Sequence, residues 1–107
     1  MALRDAGPDD LGAIRELIDG LASYEQLSHE VVYDPAELRT HLFGPEPAAT
    51  VTLAVDGESV VGMALWYRTF STFLGRSGIW LEDLFVIPES RGRGHGTALI
   101  SHLRQRT

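Results

Sequence analysis

Apolar residues recur along this chain at two different spacings, and the places where one spacing gives way to the other predict its elements. Residues 3–6 read as a short strand. Gly7-Pro8-Asp9-Asp10 then opens a helix, because proline suits a first helical turn and aspartates favour its positive end. Leu11, Ile14, Leu17, Ile18 and Leu21 follow at three- and four-residue steps, marking one apolar helical face. Asp34-Pro35-Ala36-Glu37 is a capping-box signature for a second helix, and Gly44 is a suitable stop. Beyond it the spacing changes to every second position. Val51, Leu53 and Val55 alternate, and Asp56-Gly57 is a hairpin turn into a strand over residues 60–67. Residues 68–78, rich in Ser, Thr and Gly, read as a loop. Residues 79–87 form a third consecutive strand, ended by Pro88 and apolar enough to predict burial on both faces. Leu99, Ile100 and Leu103 mark a last helix over residues 96–106. The order is strand, helix, helix, three strands, helix. No repeat, linker or low-complexity stretch divides residues 1–107, so one domain is expected.

Composition narrows the function classes. With 107 residues, 44% hydrophobic and 22% charged, the chain has the balance of a soluble globular domain. No apolar window is long enough to span a membrane, and no basic stretch precedes an apolar run at the N-terminus, so neither a membrane partner nor a signal peptide is expected. The absence of cysteine excludes disulfides and cysteine-based zinc sites and is compatible with a cytoplasmic location. A net charge of -6 argues against nucleic acid as a partner and suits a cationic substrate. His29, His41, His95 and His102 show no ligand spacing, so no metal is expected, and His95 reads as a loop residue near a bound anion. Trp66, Tyr67, Phe70 and Phe73 read as core and loop packing, although aromatics around residues 68–78 could line a substrate cleft.

The segment Glu89-Ser90-Arg91-Gly92-Arg93-Gly94-His95-Gly96-Thr97-Ala98-Leu99 follows a strand and opens a helix. That arrangement binds phosphate. Its glycines let the backbone approach an anion, and successive N–H groups and the helix start point at the same spot. Arg91 and Arg93 add charge. With no lysine in the chain, a Walker loop is excluded, and the glycine spacing is not that of a Rossmann turn. A simple turn, or a phosphate site on an unrelated α/β fold, remains open on the loop alone. Glu82 and Asp83 are adjacent carboxylates in an otherwise apolar strand. Strand alternation points them to opposite faces unless a bulge realigns them. Either carboxylate could pair with an arginine or cap nearby N–H groups. Alternatively, burial raises a carboxylate's pKa and makes it a general base near neutral pH. Tyr24-Glu25, at the end of the first helix, reads equally as a solvated aromatic and acid.

Arg91-x-x-Gly94-x-Gly96 fits the Arg/Gln-x-x-Gly-x-Gly/Ala pattern of the GNAT-superfamily acetyltransferases. Together with Leu81-Glu82-Asp83-Leu84-Phe85-Val86, Val61-Gly62-Met63-Ala64 and Leu21-Ala22-Ser23-Tyr24-Glu25, it makes nearly the whole chain resemble that family. Within it, the chain resembles the N-terminal two-thirds of the diamine/polyamine (spermidine/spermine or thialysine) branch. The resemblance implies an α+β (mixed α/β) GNAT-like fold, a mostly antiparallel sheet flanked by helices. It implies N-acetyl transfer from acetyl-CoA, as co-substrate and without a metal, to a primary amine of a small cationic diamine- or polyamine-like molecule. Leu84, Phe85 and Val86 would face the acetyl and pantetheine portion. Arg91, Gly92, Arg93, Gly94, His95, Gly96 and Thr97 would hold the pyrophosphate. Glu82 would be the catalytic base, and Tyr24, Glu25, Glu82 and Asp83 would recognise the amine. The family's general-acid tyrosine and the strand that splays from residues 79–87 fall beyond residue 107, which implies a truncated domain with its C-terminal strands missing. The expectation is an open sheet edge that self-associates, as a homodimer or by pairing with a chain that completes the sheet. The corresponding alternative function is a non-catalytic acyl-CoA- or partner-binding module.

Overall fold

The computed structural model describes residues 1–107. It follows the expected order: β1 (Ala2–Asp5), α1 (Leu11–Tyr24), α2 (Pro35–Phe43), β2 (Thr50–Asp56), β3 (Ser59–Ser71), β4 (Arg76–Val86) and α3 (His95–Arg104). The strands form one sheet in the order β1-β2-β3-β4, every neighbour antiparallel. No helix is long and apolar enough to cross a membrane.

Local chemistry fixes where the helices begin. A single 3-10 turn, Pro8–Asp10, leads into α1. The Asp10 carboxylate accepts from the Gly7 N–H at 2.8 Å and from both terminal nitrogens of Arg4, at 2.7 and 2.9 Å. Asp34 caps α2 by accepting from the Ala36 N–H at 3.0 Å, without a returning bond from Glu37.

The sheet separates two apolar cores. On one face Ile14 and Leu17 of α1 and Leu42 of α2 pack on Val51, Leu53, Met63 and Phe85. On the other, Leu99 and Leu103 of α3 pack on Ala54, Val61, Ala64 and Trp66. Buried polar groups are tied together: the Trp66 indole donates to Thr52 Oγ1 at 3.0 Å, and Thr52 donates to Asp5 at 2.8 Å. The last turn of α3 is held by the Arg106 guanidinium, which donates to both Asp5 oxygens at 2.8 Å.

Two expectations are corrected. Residues 68–78 are not a loop. Pairing of β3 with β4 runs to Ser71 opposite Arg76, leaving a turn of residues 72–75. Thr69 and Phe70 are good strand formers, and cross-strand pairing outweighs the turn tendency of the neighbouring Ser and Gly. Phe70 and Phe73 are therefore exposed at the hairpin end and pack in no core, with Phe73 fully exposed. Nor is β4 buried on both faces. It is an edge strand, paired only with β3, and Trp80 remains 55% exposed. The α3 core reaches Ile79, Leu81 and Leu84 on one face, while Phe85 is its one buried residue, on the α1 face.

Candidate active site

The end of β4 and the start of α3 build the anion-binding turn. Pro88 cannot donate to a strand ladder, and a 3-10 turn, Pro88–Ser90, redirects the chain and buries Ser90. Gly92 and Gly94 then adopt φ of +79° and +85°, the left-handed region that other residues enter at a cost. Gly94 is the N-cap of α3, so the helix starts at His95, one residue earlier than expected. The N–H groups of residues 92–97 have no acceptor within the chain, and the first helical bond runs from the Ala98 N–H to the Gly94 carbonyl at 2.9 Å. This run of free donors at a helix N-terminus is a cradle for an anion.

The cradle opens into a cleft of about 510 Å³. Leu84, Phe85 and Val86 form its floor; Leu21, Tyr24 and Glu25, from the end of α1, form one wall. Ser90, Arg91, Gly92, Gly94, His95, Gly96 and Thr97 form the other. The end of α1 thus meets the β4–α3 segment around one space, bringing Tyr24 and Glu25 to the residues singled out for the donor and the phosphate, while Glu82 and Asp83 lie outside its lining.

The two loop arginines do not behave as expected. Arg93 lies outside the cleft lining, its guanidinium 3.8 Å from the exposed Asp56 carboxylate. Arg91 turns back on the protein. Its Nε–H donates to the Val86 carbonyl at 2.9 Å, and its guanidinium lies 4.3 Å from the centre of the Tyr24 ring and 5.4 Å from that of Phe85. Direct hydrogen-bond donors at the cradle are therefore its backbone N–H groups, with the Arg91 charge lying in the cleft wall. His95 is also corrected: it is the first residue of α3 and is buried, not a loop residue. Its Nδ1 lies 2.8 Å from Met1 Sδ, and Nε2 is buried without a partner.

A β-bulge decides the geometry of the carboxylates. Leu65 pairs with Asp83 and Trp66 with Leu81, so Glu82 is an extra residue with no partner on β3. Trp80 pairs with Tyr67, two positions from Leu65, and therefore shares a face with Asp83. The Trp80 indole donates to Glu82 Oε1 at 3.1 Å, which puts Glu82 on that side as well. Glu82 and Asp83 consequently point to one face instead of opposite ones. Their burial also differs from expectation. Glu82 is exposed, and Asp83 is the partly buried carboxylate. Burial pushes the Asp83 pKa up, and the charges of Glu82 and Glu25 push it further in the same direction. Glu25, Glu82 and Asp83 thus make an acidic corner beside Tyr24, without the convergence needed to hold a metal ion. The bulge stood in the sequence reading only as the exception that would realign the two carboxylates, and the Arg91–Tyr24 stack was not anticipated. An apolar strand interrupted by two consecutive carboxylates was the one available signal for the bulge.

An antiparallel sheet whose edge strand runs into an N–H cradle, with Tyr24 and Glu25 of α1 across one cleft, is the architecture of an acyltransferase domain. Residues 14–107 match the acetyltransferase (GNAT) family, and the chain belongs to that family. It is 38% identical to the thialysine N-epsilon-acetyltransferase of Mus musculus and 39% identical to that of Bos taurus, in each case over 96% of this chain. The chain spans 65% of the length of those two relatives. Among solved structures, an aminoglycoside acetyltransferase from an uncultured soil metagenomic sample superposes with a TM-score of 0.82 at 18% identity, covering 98% of this chain and 68% of the other. A ribosomal-protein-alanine N-acetyltransferase from Brucella melitensis gives 0.76 at 23% identity, covering 99% and 71%. These structural likenesses establish the fold.

Proposed function

We propose that the protein transfers an acetyl group from acetyl-CoA to a primary amine of a small, multiply cationic substrate of the diamine or polyamine type. The observation that carries this reading is that the free N–H cradle and the Tyr24–Glu25 end of α1 line one cleft, with the charge of Glu25 felt by Asp83 on the adjoining strand. Bound acetyl-CoA would supply an activated thioester. Its pyrophosphate suits the N–H groups of residues 92–97, where each charge-assisted hydrogen bond contributes about 1.5–3 kcal/mol. The backbone of Leu84, Phe85 and Val86 would align the pantetheine arm, and a backbone N–H there would polarise the thioester carbonyl.

The amine arrives protonated, and Tyr24, Glu25 and Asp83 would draw it in and orient it. Glu82 would accept its proton through a water. The neutral nitrogen would then form the C–N bond as the C–S bond breaks, and its second proton would pass to the departing thiolate to give the amide and the CoA thiol. The thialysine N-epsilon-acetyltransferases among the relatives favour an amine at the end of a flexible chain. A cytoplasmic location, where acetyl-CoA is available, suits this activity. A second reading, an acyl-CoA-binding module without turnover, is favoured by the exposure of Glu82 outside the cleft lining.

The test is incubation with acetyl-CoA and thialysine, spermidine or a monoamine of equal length, with products read by mass spectrometry. The expected result is acetylation of the multiply charged amines in preference to the monoamine. CoA binding without product in any mixture would favour the binding module, and neither binding nor product would refute both.

A further inference from the structure

Arg91 occupies the motif position expected to serve phosphate, yet its side chain is committed elsewhere. Its Nε–H is bonded to the Val86 carbonyl, at the end of the strand that floors the cleft. Its guanidinium lies against the ring of Tyr24, on the last turn of α1. One side chain thereby spans the cleft from the β4–α3 turn to α1. Tyr24 is 66% exposed and its hydroxyl has no hydrogen-bond partner within the chain, so the stack is the directed contact made by its ring. The residue after Tyr24 is Glu25, whose charge is felt by Asp83.

We propose that Arg91 is a positioning residue and not a phosphate ligand. It clasps Tyr24 across the cleft, which fixes the wall that meets the pantetheine arm and carries Glu25. The phosphates are left to the backbone N–H groups. This proposal rests on the acyl-CoA reading of the cleft. A planar guanidinium is required, because a lysine cannot both stack on the ring and present a rigid N–H to the Val86 carbonyl. Charge alone at position 91 is not enough.

The two roles predict different ligand dependences. A phosphate ligand matters for CoA and is irrelevant to pantetheine, which has no pyrophosphate. A clasp that shapes the pantetheine wall matters equally for both. Affinities of CoA and pantetheine are therefore measured, by calorimetry and NMR titration, for the parent chain, Arg91→Lys, Arg91→Met, Tyr24→Phe, Tyr24→Leu and the Tyr24→Leu/Arg91→Met pair. The expected loss is about three- to ten-fold, the size of a partly exposed cation–π contact. It should be the same for both ligands in Arg91→Met, Arg91→Lys and Tyr24→Leu. Tyr24→Phe, which keeps the ring, should match the parent, and the pair should lose no more than the worse single variant.

A ligand-free measurement guards against misfolding. The Arg91 Nε–H resonance should be shielded by the ring and slow to exchange in the parent and in Tyr24→Phe, and should lose its ring-current shift in Tyr24→Leu. Full affinity in Arg91→Lys, or a loss confined to CoA, would overturn the clasp while leaving the acyl-CoA site intact. Failure of the parent chain to bind either ligand would overturn the clasp and the acyl-CoA reading together.

Discussion

Gly94 and Gly96 look alike in the sequence motif, but the structure asks different things of them. Gly94 sits at φ +85°, and a Cβ built there meets no atom within 4 Å. Gly94→Ala therefore creates no clash, and its effect isolates the backbone. Holding a non-glycine residue in the left-handed region costs about 1–2 kcal/mol. For a domain of this size each kcal/mol lowers Tm by about 4–8 °C, so a fall of about 4–16 °C is expected. Gly96 has ordinary helical φ, and its added Cβ would lie 3.9 Å from Leu84 Cδ2, which is normal contact. Gly96→Ala should leave Tm unchanged or raise it slightly, since alanine is the better helix former. Relaxing position 94 out of the left-handed region would also redirect the N–H groups of residues 93–95, so Gly94→Ala should weaken CoA binding along with stability. Thermal melting and CoA calorimetry on both variants check this. Equal behaviour of the two substitutions, or an unperturbed Gly94→Ala, would refute the assignment of Gly94 as the conformational pivot of the cradle.

Other expectations concern the carboxylates. Glu82→Gln should lower turnover of the active protein by about 10²–10⁴-fold while leaving CoA affinity unchanged, as read by steady-state kinetics beside calorimetry. Because the Asp83 pKa is raised in the fold, its ionisation opposes folding, and that penalty grows as pH rises from the ordinary carboxylate range through the raised value. Asp83→Asn should consequently stabilise the chain at neutral pH, make no difference in acid, and weaken amine binding; a loss of stability at pH 7 in denaturant titrations would contradict this. Asp10 shows the opposite sign. The Arg4 hydrogen bond, aided by the Gly7 N–H, holds its carboxyl at about 2, so its contribution is present above the ordinary range and lost as pH falls through that value. With Arg4 half exposed, screening limits that contribution to about 1 kcal/mol. Asp10→Asn should therefore flatten the acid limb of the stability curve between about pH 4 and pH 2.

Most of the fold was legible because its boundaries are written in local chemistry. Asp34 and Pro35 mark the start of α2, and Asp56-Gly57 the tight turn between β2 and β3. The cleft was legible for the same reason, since its glycines stand between an obvious strand and an obvious helix. What escaped depends on partners distant in sequence. The extension of β3 and β4 to Ser71 and Arg76 arises from cross-strand pairing, which outweighs the turn tendency of individual residues. Burial of β4 was misjudged because an apolar run does not reveal how many neighbours a strand has. The bulge at Glu82 is a property of register between two strands, invisible in either alone. Arg91 and Tyr24 are 67 positions apart, and nothing in their neighbourhoods announces that one stacks on the other.

The central claim is that the space between the β4–α3 turn and the end of α1 is an acyl-CoA cleft. Calorimetric titration of the chain with CoA, dephospho-CoA, pantetheine and ATP tests it most directly. CoA and dephospho-CoA both carry the pyrophosphate and the pantetheine arm, and should bind with similar affinity. Pantetheine, which leaves the N–H cradle of residues 92–97 empty, should bind far more weakly, and ATP, which fills the cradle but has no arm to lie along Leu84, Phe85 and Val86, should compete with CoA only at much higher concentration. ATP binding as tightly as CoA at the same site would make this a general phosphate-binding turn and contradict the account.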